Sequence, residues 1–215
     1  MSNFEYIVAS LPFLTTDYKY EEGHNWDGVI EEIKENLSEK DTEVLDVLLD
    51  GFKEGNLNPD FYARVLSHPV KFIRDYFRYD LNLRNAKVSY INNALGREAG
   101  LDIMDGKGGE TDEGLDIDGY RFTGGEFREK DKVETALALS SLLDREQALD
   151  DVTWEVIDTL GTFHYFDITA VLCYVAKLHI VDRWLELDEE RGREKFRQLV
   201  KEVRGTFKGV EYKEK

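Results

Sequence analysis

From Ile168 to Leu187 the chain follows a helical pattern with no polar side. Val171, Leu172, Tyr174, Val175, Leu178, Ile180, Val181, Trp184 and Leu185 spread over the whole circumference. A helix apolar all round must be enclosed by others, so this segment demands a bundle with one long helix at its centre. Asp167 is placed to cap it. Lys177, His179, Asp182 and Arg183 interrupt it and make it unfit for a membrane span; Lys177, Asp182 and Arg183 are expected to reach its ends or a neighbour's acidic groups.

A second long helix is expected over 70–95, between Pro69 and Gly96. At about 100° per residue, Phe72, Ile73, Tyr76, Phe77, Tyr79, Leu81, Leu83, Val88, Tyr90, Ile91 and Leu95 cover half the wheel. Arg74, Asp75, Arg78, Asn82, Asn85, Ser89, Asn92 and Asn93 make the solvent side. Asp80, Arg84 and Lys87 fall within the apolar arc. A buried unpaired charge is costly, and Asp80 and Arg84 stand at the four-residue spacing at which side chains meet. One reading is an intrahelical ion pair that locks the packing, with Lys87 snorkelling outward. The other is a socket whose charges receive a partner.

The remaining pattern is also helical. Phe4 to Pro12 reads as a short strand or an irregular apolar anchor. Trp26, Val29, Ile30, Ile33 and Leu37 fall at helical spacing, and Ser38 with Asp41 forms a capping box before Val44, Leu45, Leu48, Leu49 and Phe52. Pro59 opens a short helix through Leu66. After a Gly/Asp-rich loop over 101–125, with a small hairpin at Tyr120 as its one suggestion of strand, helical periodicity runs from Glu126 to Leu143, over 146–160, and from Asp188 through Val203. The expectation is an all-α multi-helix bundle of about seven to eight helices. It makes one helical domain over 1–215, with two lobes (1–100 and 126–215) joined by the loop as an alternative division.

Composition narrows the partners. The formal charge is −17, against nucleic acid as a ligand, because phosphate binding needs a basic surface. The charge is uneven: from Phe61 to Arg97 seven Lys or Arg face Asp75 and Asp80, a balance of +5, whereas from Asp102 to Asp118 seven acids face Lys107 alone. Such polarity can orient a protein between two partners. No apolar run is long enough to span a bilayer and the N-terminus lacks the pattern of a signal peptide, so a cytoplasmic location is expected. Cys173, the single cysteine, lies in an apolar run and is expected to be buried and inert.

Chemical motifs are sparse. In the acidic loop, setting Gly119 at the sixth position of an EF-hand puts Gly114 first and Gly125 twelfth, where acids are required, so the loop reads as solvated. His24, His68, His164 and His179 show no metal-ligand spacing, and His164 beside Asp167 reads as structural. No phosphate-cradling glycine motif or nucleophile elbow is present. No catalytic residue, metal or cofactor is therefore assigned.

Two segments carry a family resemblance. Phe77-Arg-Tyr-Asp-Leu-Asn-Leu-Arg-Asn-Ala86 with Tyr90-Ile-Asn-Asn-Ala-Leu-Gly-Arg97 resembles a helical segment of the C/d-type central-stalk proteins of V-type rotary ATPases, found in bacterial, archaeal and eukaryotic versions. Phe163-His-Tyr-Phe-Asp-Ile-Thr169 with Tyr174-Val-Ala-Lys-Leu-His-Ile-Val-Asp-Arg183 is similar to that family's late segment. The chain also resembles an uncharacterised bacterial family encoded among V-type ATPase genes, with an opening like Tyr6-Ile-Val-Ala-Ser-Leu-Pro12. The matched segments cover about a third of the chain and are helical patterns rather than chemical signatures. The resemblance implies a non-catalytic central-stalk protein, peripheral to the membrane, that joins the rotor shaft to the membrane ring. Asp80, Asn82, Arg84 and Lys87, with Lys177 and Arg183, are its candidate structural or partner-facing residues. The C/d-type proteins have three pseudo-equivalent lobes and this chain has length for about two, a departure from the closed funnel. The alternatives are a helical adaptor unrelated to the ATPase and, third, a carboxylate or metal-dependent enzyme.

Overall fold

A computed structural model describes residues 2–15, 25–104, 127–186 and 197. Among them the chain forms eight α-helices and no strand, the all-α bundle that the periodicity demands: α1 (Phe4–Ser10), α2 (Trp26–Asn36), α3 (Glu39–Gly51), α4 (Pro59–Leu66), α5 (Lys71–Ala94), α6 (Lys130–Leu137), α7 (Leu142–Gly161) and α8 (Ile168–Leu185). No helix among the described residues is long and apolar enough to cross a membrane. The acidic loop beyond Met104, including the hairpin expected at Tyr120 and the rejected EF-hand register, lies outside the described residues, as does the helix expected from Asp188.

α8 is the central element. Val171, Leu172, Val175, Ala176, Leu178 and Val181 are fully buried, and α1, α2, α3 and α7 pack around the helix. Its N-terminus is capped as expected, the Asp167 carboxylate accepting from the Ala170 amide at 3.1 Å. α5 runs past two apolar clusters. Phe72, Ile73, Tyr76, Phe77 and Leu81 join the large core of α1 to α4 and α8. Tyr79 enters a smaller one with Val133, Ala136, Leu137, Leu149, Val152 and Val156 of α6 and α7.

Local capping explains most boundaries and two corrections, and the returning chain explains a third. The opening segment is a helix rather than a strand or irregular anchor: Asn3 accepts from the Tyr6 amide at 3.2 Å, a side-chain cap that nucleates the turn. The helix expected to run from Glu126 to Leu143 stops at Leu137, because Ser141 caps a new start, accepting from the Asp144 amide at 3.3 Å; Leu142 and Leu143 are left exposed. The asparagine side of α5 is not its solvent side throughout. Asn92 is buried and donates to the Leu101 carbonyl at 2.6 Å. Asn85 donates to the Met104 carbonyl at 2.6 Å and accepts from the Met104 amide at 3.1 Å. The chain folds back over this side, while Ile91 and Leu95, expected in the apolar arc, are exposed.

Candidate functional site: a charged seam between α5, α7 and α8

Asp80, Arg84 and Lys87 line one cleft of about 370 Å³, facing Glu146 and Asp150 of α7 and His179 and Arg183 of α8. Arg84 Nε donates to Asp80 Oδ2 at 2.9 Å, the intrahelical pair that the spacing implies. The same oxygen accepts from the Tyr62 hydroxyl of α4 at 2.6 Å, so Asp80 ties α5 to α4 as well. Lys87 does not snorkel into solvent unpartnered: Nζ lies 3.1 Å from Glu146 Oε2 on α7.

The cations of α8 reach acids of α7, as expected. Arg183 pairs with Asp150, whose Oδ2 also accepts from Trp184 Nε1 at 2.7 Å. Lys177 pairs with Asp158 and lies 4.8 Å above the Trp154 ring, on a stretch of α8 outside the cleft. Asn82 sits half-buried on α5. Between Asp80 and Asp150, the Thr153 hydroxyl donates to the Leu149 carbonyl at 2.9 Å, which leaves it to accept from Tyr79 at 2.9 Å.

Electrostatics hold these groups in their tying roles. Burial, with Asp80 close by, pushes the Tyr62 hydroxyl far above its ordinary value, and burial does the same for Tyr76 and Tyr79. All three stay protonated, and Tyr62 and Tyr79 serve as donors rather than bases. Burial pulls the Arg84 guanidinium down, but the adjacent Asp80 carboxylate more than restores it. Burial pushes the Asp150 carboxyl up, a rise that Arg183 and Trp184 offset only in part. In the cleft wall His179 stacks on Phe52, ring centres 4.0 Å apart, and burial drives its imidazole down to about 4.

Elsewhere, Cys173 is buried, its thiol pushed up to about 12 by desolvation, and His164 Nδ1 lies 2.6 Å from Asp167 Oδ2. Sequence reasoning missed Tyr62, Glu146, Asp150 and Trp184. A signal existed for Asp150, an acid set among the buried Leu149, Val152 and Thr153 of α7, the counterpart of Asp80 on α5.

The arrangement joins three helices to one another and to α4 through polar ties laid over two apolar clusters. Its chemical capacity is to hold α4, α5, α7 and α8 in one register. A family model described as protein of unknown function (DUF2764) matches residues 52–206, from the end of α3 through the whole of α8. No curated protein and no solved structure matches the chain.

Proposed function

Because the chain belongs to the family of proteins of unknown function DUF2764, whose description carries no activity, we propose a function from the residues themselves: a non-catalytic central-stalk component of a V-type ATPase, linking the rotor shaft to the membrane ring. The observation that carries this reading is that residues of both stalk-like segments, Asp80, Arg84 and Lys87 of one and Arg183 of the other, line the same cleft. There Asp80, braced by Arg84 on its own helix, ties to Tyr62 of α4, and Lys87 and Arg183 tie to acids of α7. A connector that transmits torque has to resist shear between its ends. Interhelical hydrogen bonds and ion pairs supply that resistance where apolar contacts alone allow sliding. In this role the protein has no chemistry of its own and sits at the cytoplasmic surface of the membrane, attached through its partners.

Purification of the tagged protein from native membranes in gentle detergent tests the reading. Recovery of the head, shaft and ring proteins of the ATPase is the expected result. Recovery of other proteins without any ATPase component would favour an adaptor unrelated to the ATPase and overturn the stalk role.

A further inference from the structure

Two polar groups in the charged seam take no part in its ties. Tyr76 lines the cleft of about 370 Å³ and is only 8% exposed. Its ring is fixed from two sides, stacked on Phe72 with centres 5.6 Å apart and edge-on to Phe77 at 5.3 Å. Among the described residues its hydroxyl makes no hydrogen bond, unlike those of Tyr62 and Tyr79. The charges of Asp80, Arg84 and Arg183 act on it, and all three line the cleft. His179 on α8 is the second group. Phe52 and Trp26 clamp its imidazole, the Trp26 ring edge-on at 5.7 Å, and its nitrogens make no hydrogen bond among the described residues either. Buried polar groups without partners weaken a fold, so a hydroxyl and an imidazole held this firmly at one cleft are placed for a ligand.

The ion pairs around them have hydrogen-bonding capacity to spare. Asp80 and Asp150 engage Oδ2 alone and Glu146 engages Oε2 alone, so each keeps a second oxygen as an acceptor. Arg84 engages only Nε and Arg183 only one terminal nitrogen, which leaves the other N–H groups of both as donors.

The charges themselves balance pair by pair, Arg84 with Asp80, Lys87 with Glu146 and Arg183 with Asp150. The one further charge on the lining, Glu54, is exposed. An anion therefore finds no cation left over, a cation finds no buried acid left over, and an apolar molecule would leave the hydroxyl and the imidazole unpaired. A neutral cleft that offers donors beside acceptors suits a group that donates and accepts from one atom, the hydroxyl.

We infer that the cleft binds a small neutral polyol of monosaccharide size, its hydroxyls bonded to Tyr76, to His179 and to the free edges of the Asp80–Arg84 and Asp150–Arg183 pairs. The cleft lies in the size range of small-molecule sites. A polyol seated there bridges α5, α7 and α8, and the assignment stands whether or not the protein belongs to an ATPase stalk.

The test titrates the full chain with glucose and with myo-inositol, both neutral ring polyols, and with glycine and inorganic phosphate for comparison. Binding is read from the imidazole proton signals of His179 by NMR and from the rise in melting temperature that a ligand of the folded state produces. Saturable one-to-one binding of at least one polyol is expected, with a Kd of about 1 mM or tighter, and no saturable binding of glycine or phosphate. Tyr76→Phe removes only a hydroxyl that has no protein partner, so it should melt no lower than the wild type while weakening the polyol about fivefold or more. His179→Phe keeps a ring on Phe52 and should weaken the polyol likewise, as the melting temperature registers. Failure of both polyols to saturate would overturn the inference. So would unchanged affinity in either variant, or glycine or phosphate binding as tightly as the polyols, since the spare charged groups would then select the ligand.

Discussion

Two carboxylate oxygens, Asp80 Oδ2 and Asp150 Oδ2, each take two donors within the seam. Asp80 Oδ2 accepts from both the buried Tyr62 hydroxyl and Arg84 Nε, so each donor covers for the loss of the other. The Arg84 side chain is 40% exposed, and water screens its pair. Arg84→Ala is therefore expected to cost only about 1 kcal/mol, and Tyr62→Phe a similar amount, about 1 kcal/mol. Together they leave Asp80 with neither partner, and the double variant should lose about 1 kcal/mol more than the sum of the singles. Urea denaturation of the four proteins measures this; additivity would show that Asp80 is hydrated rather than held. His179 makes a separate prediction. Its folded value near 4 lies below the ordinary 6.5, with burial the main cause and the Arg183 charge adding to it. Between those values the unfolded chain binds the extra proton, so the stability this group contributes is full above pH 6.5 and is lost as pH falls toward 4, a total of about 2–3 kcal/mol. His179→Phe keeps the ring on Phe52 and removes the titration. The stability difference between wild type and this variant should change by that amount across the window, and a constant difference would mean that the imidazole charges in the folded state.

Between elements, packing depends on small residues that periodicity does not weigh. Gly51 closes α3 where a Cβ would overlap the Phe77 ring and come within 3.0 Å of Phe61 Cζ, and those two rings meet edge to face at 5.1 Å. Gly51→Ala should destabilise by about 1–3 kcal/mol through overpacking, despite the better helix propensity of alanine, as thermal melting would register; a gain in stability would mean that α3 and α5 can part without loss. The long helices are readable because their apolar residues recur at every turn: the pattern over 70–95 becomes α5 at Lys71–Ala94, and the start of α8 follows from Asp167. What periodicity does not reveal depends on distant chain. Asn85 and Asn92 look solvent-facing on a helical wheel, yet residues 97–104 fold back on them, and the short helix α1 carries too few turns to declare its period. The ties of the seam are half visible. Asp80, Arg84, Lys87 and Arg183 stand out as charges in apolar arcs, but the partners of Lys87 and Arg183 lie 59 and 33 residues away, which spacing within one helix cannot supply.

At the scale of the molecule, α5 passes both apolar clusters and the seam lies beside it, so displacement of one cluster against the other has to break the ties of Glu146 and Asp150 to α5 and α8 together. A body built this way resists shear, the property on which the proposed stalk role rests. The measurement that tests it most directly compares ATP hydrolysis with ion pumping in membrane vesicles from cells with and without the gene. With the protein absent, hydrolysis should persist while pumping collapses, and re-addition of the purified protein should restore pumping. Unchanged pumping without the protein would contradict the coupling role.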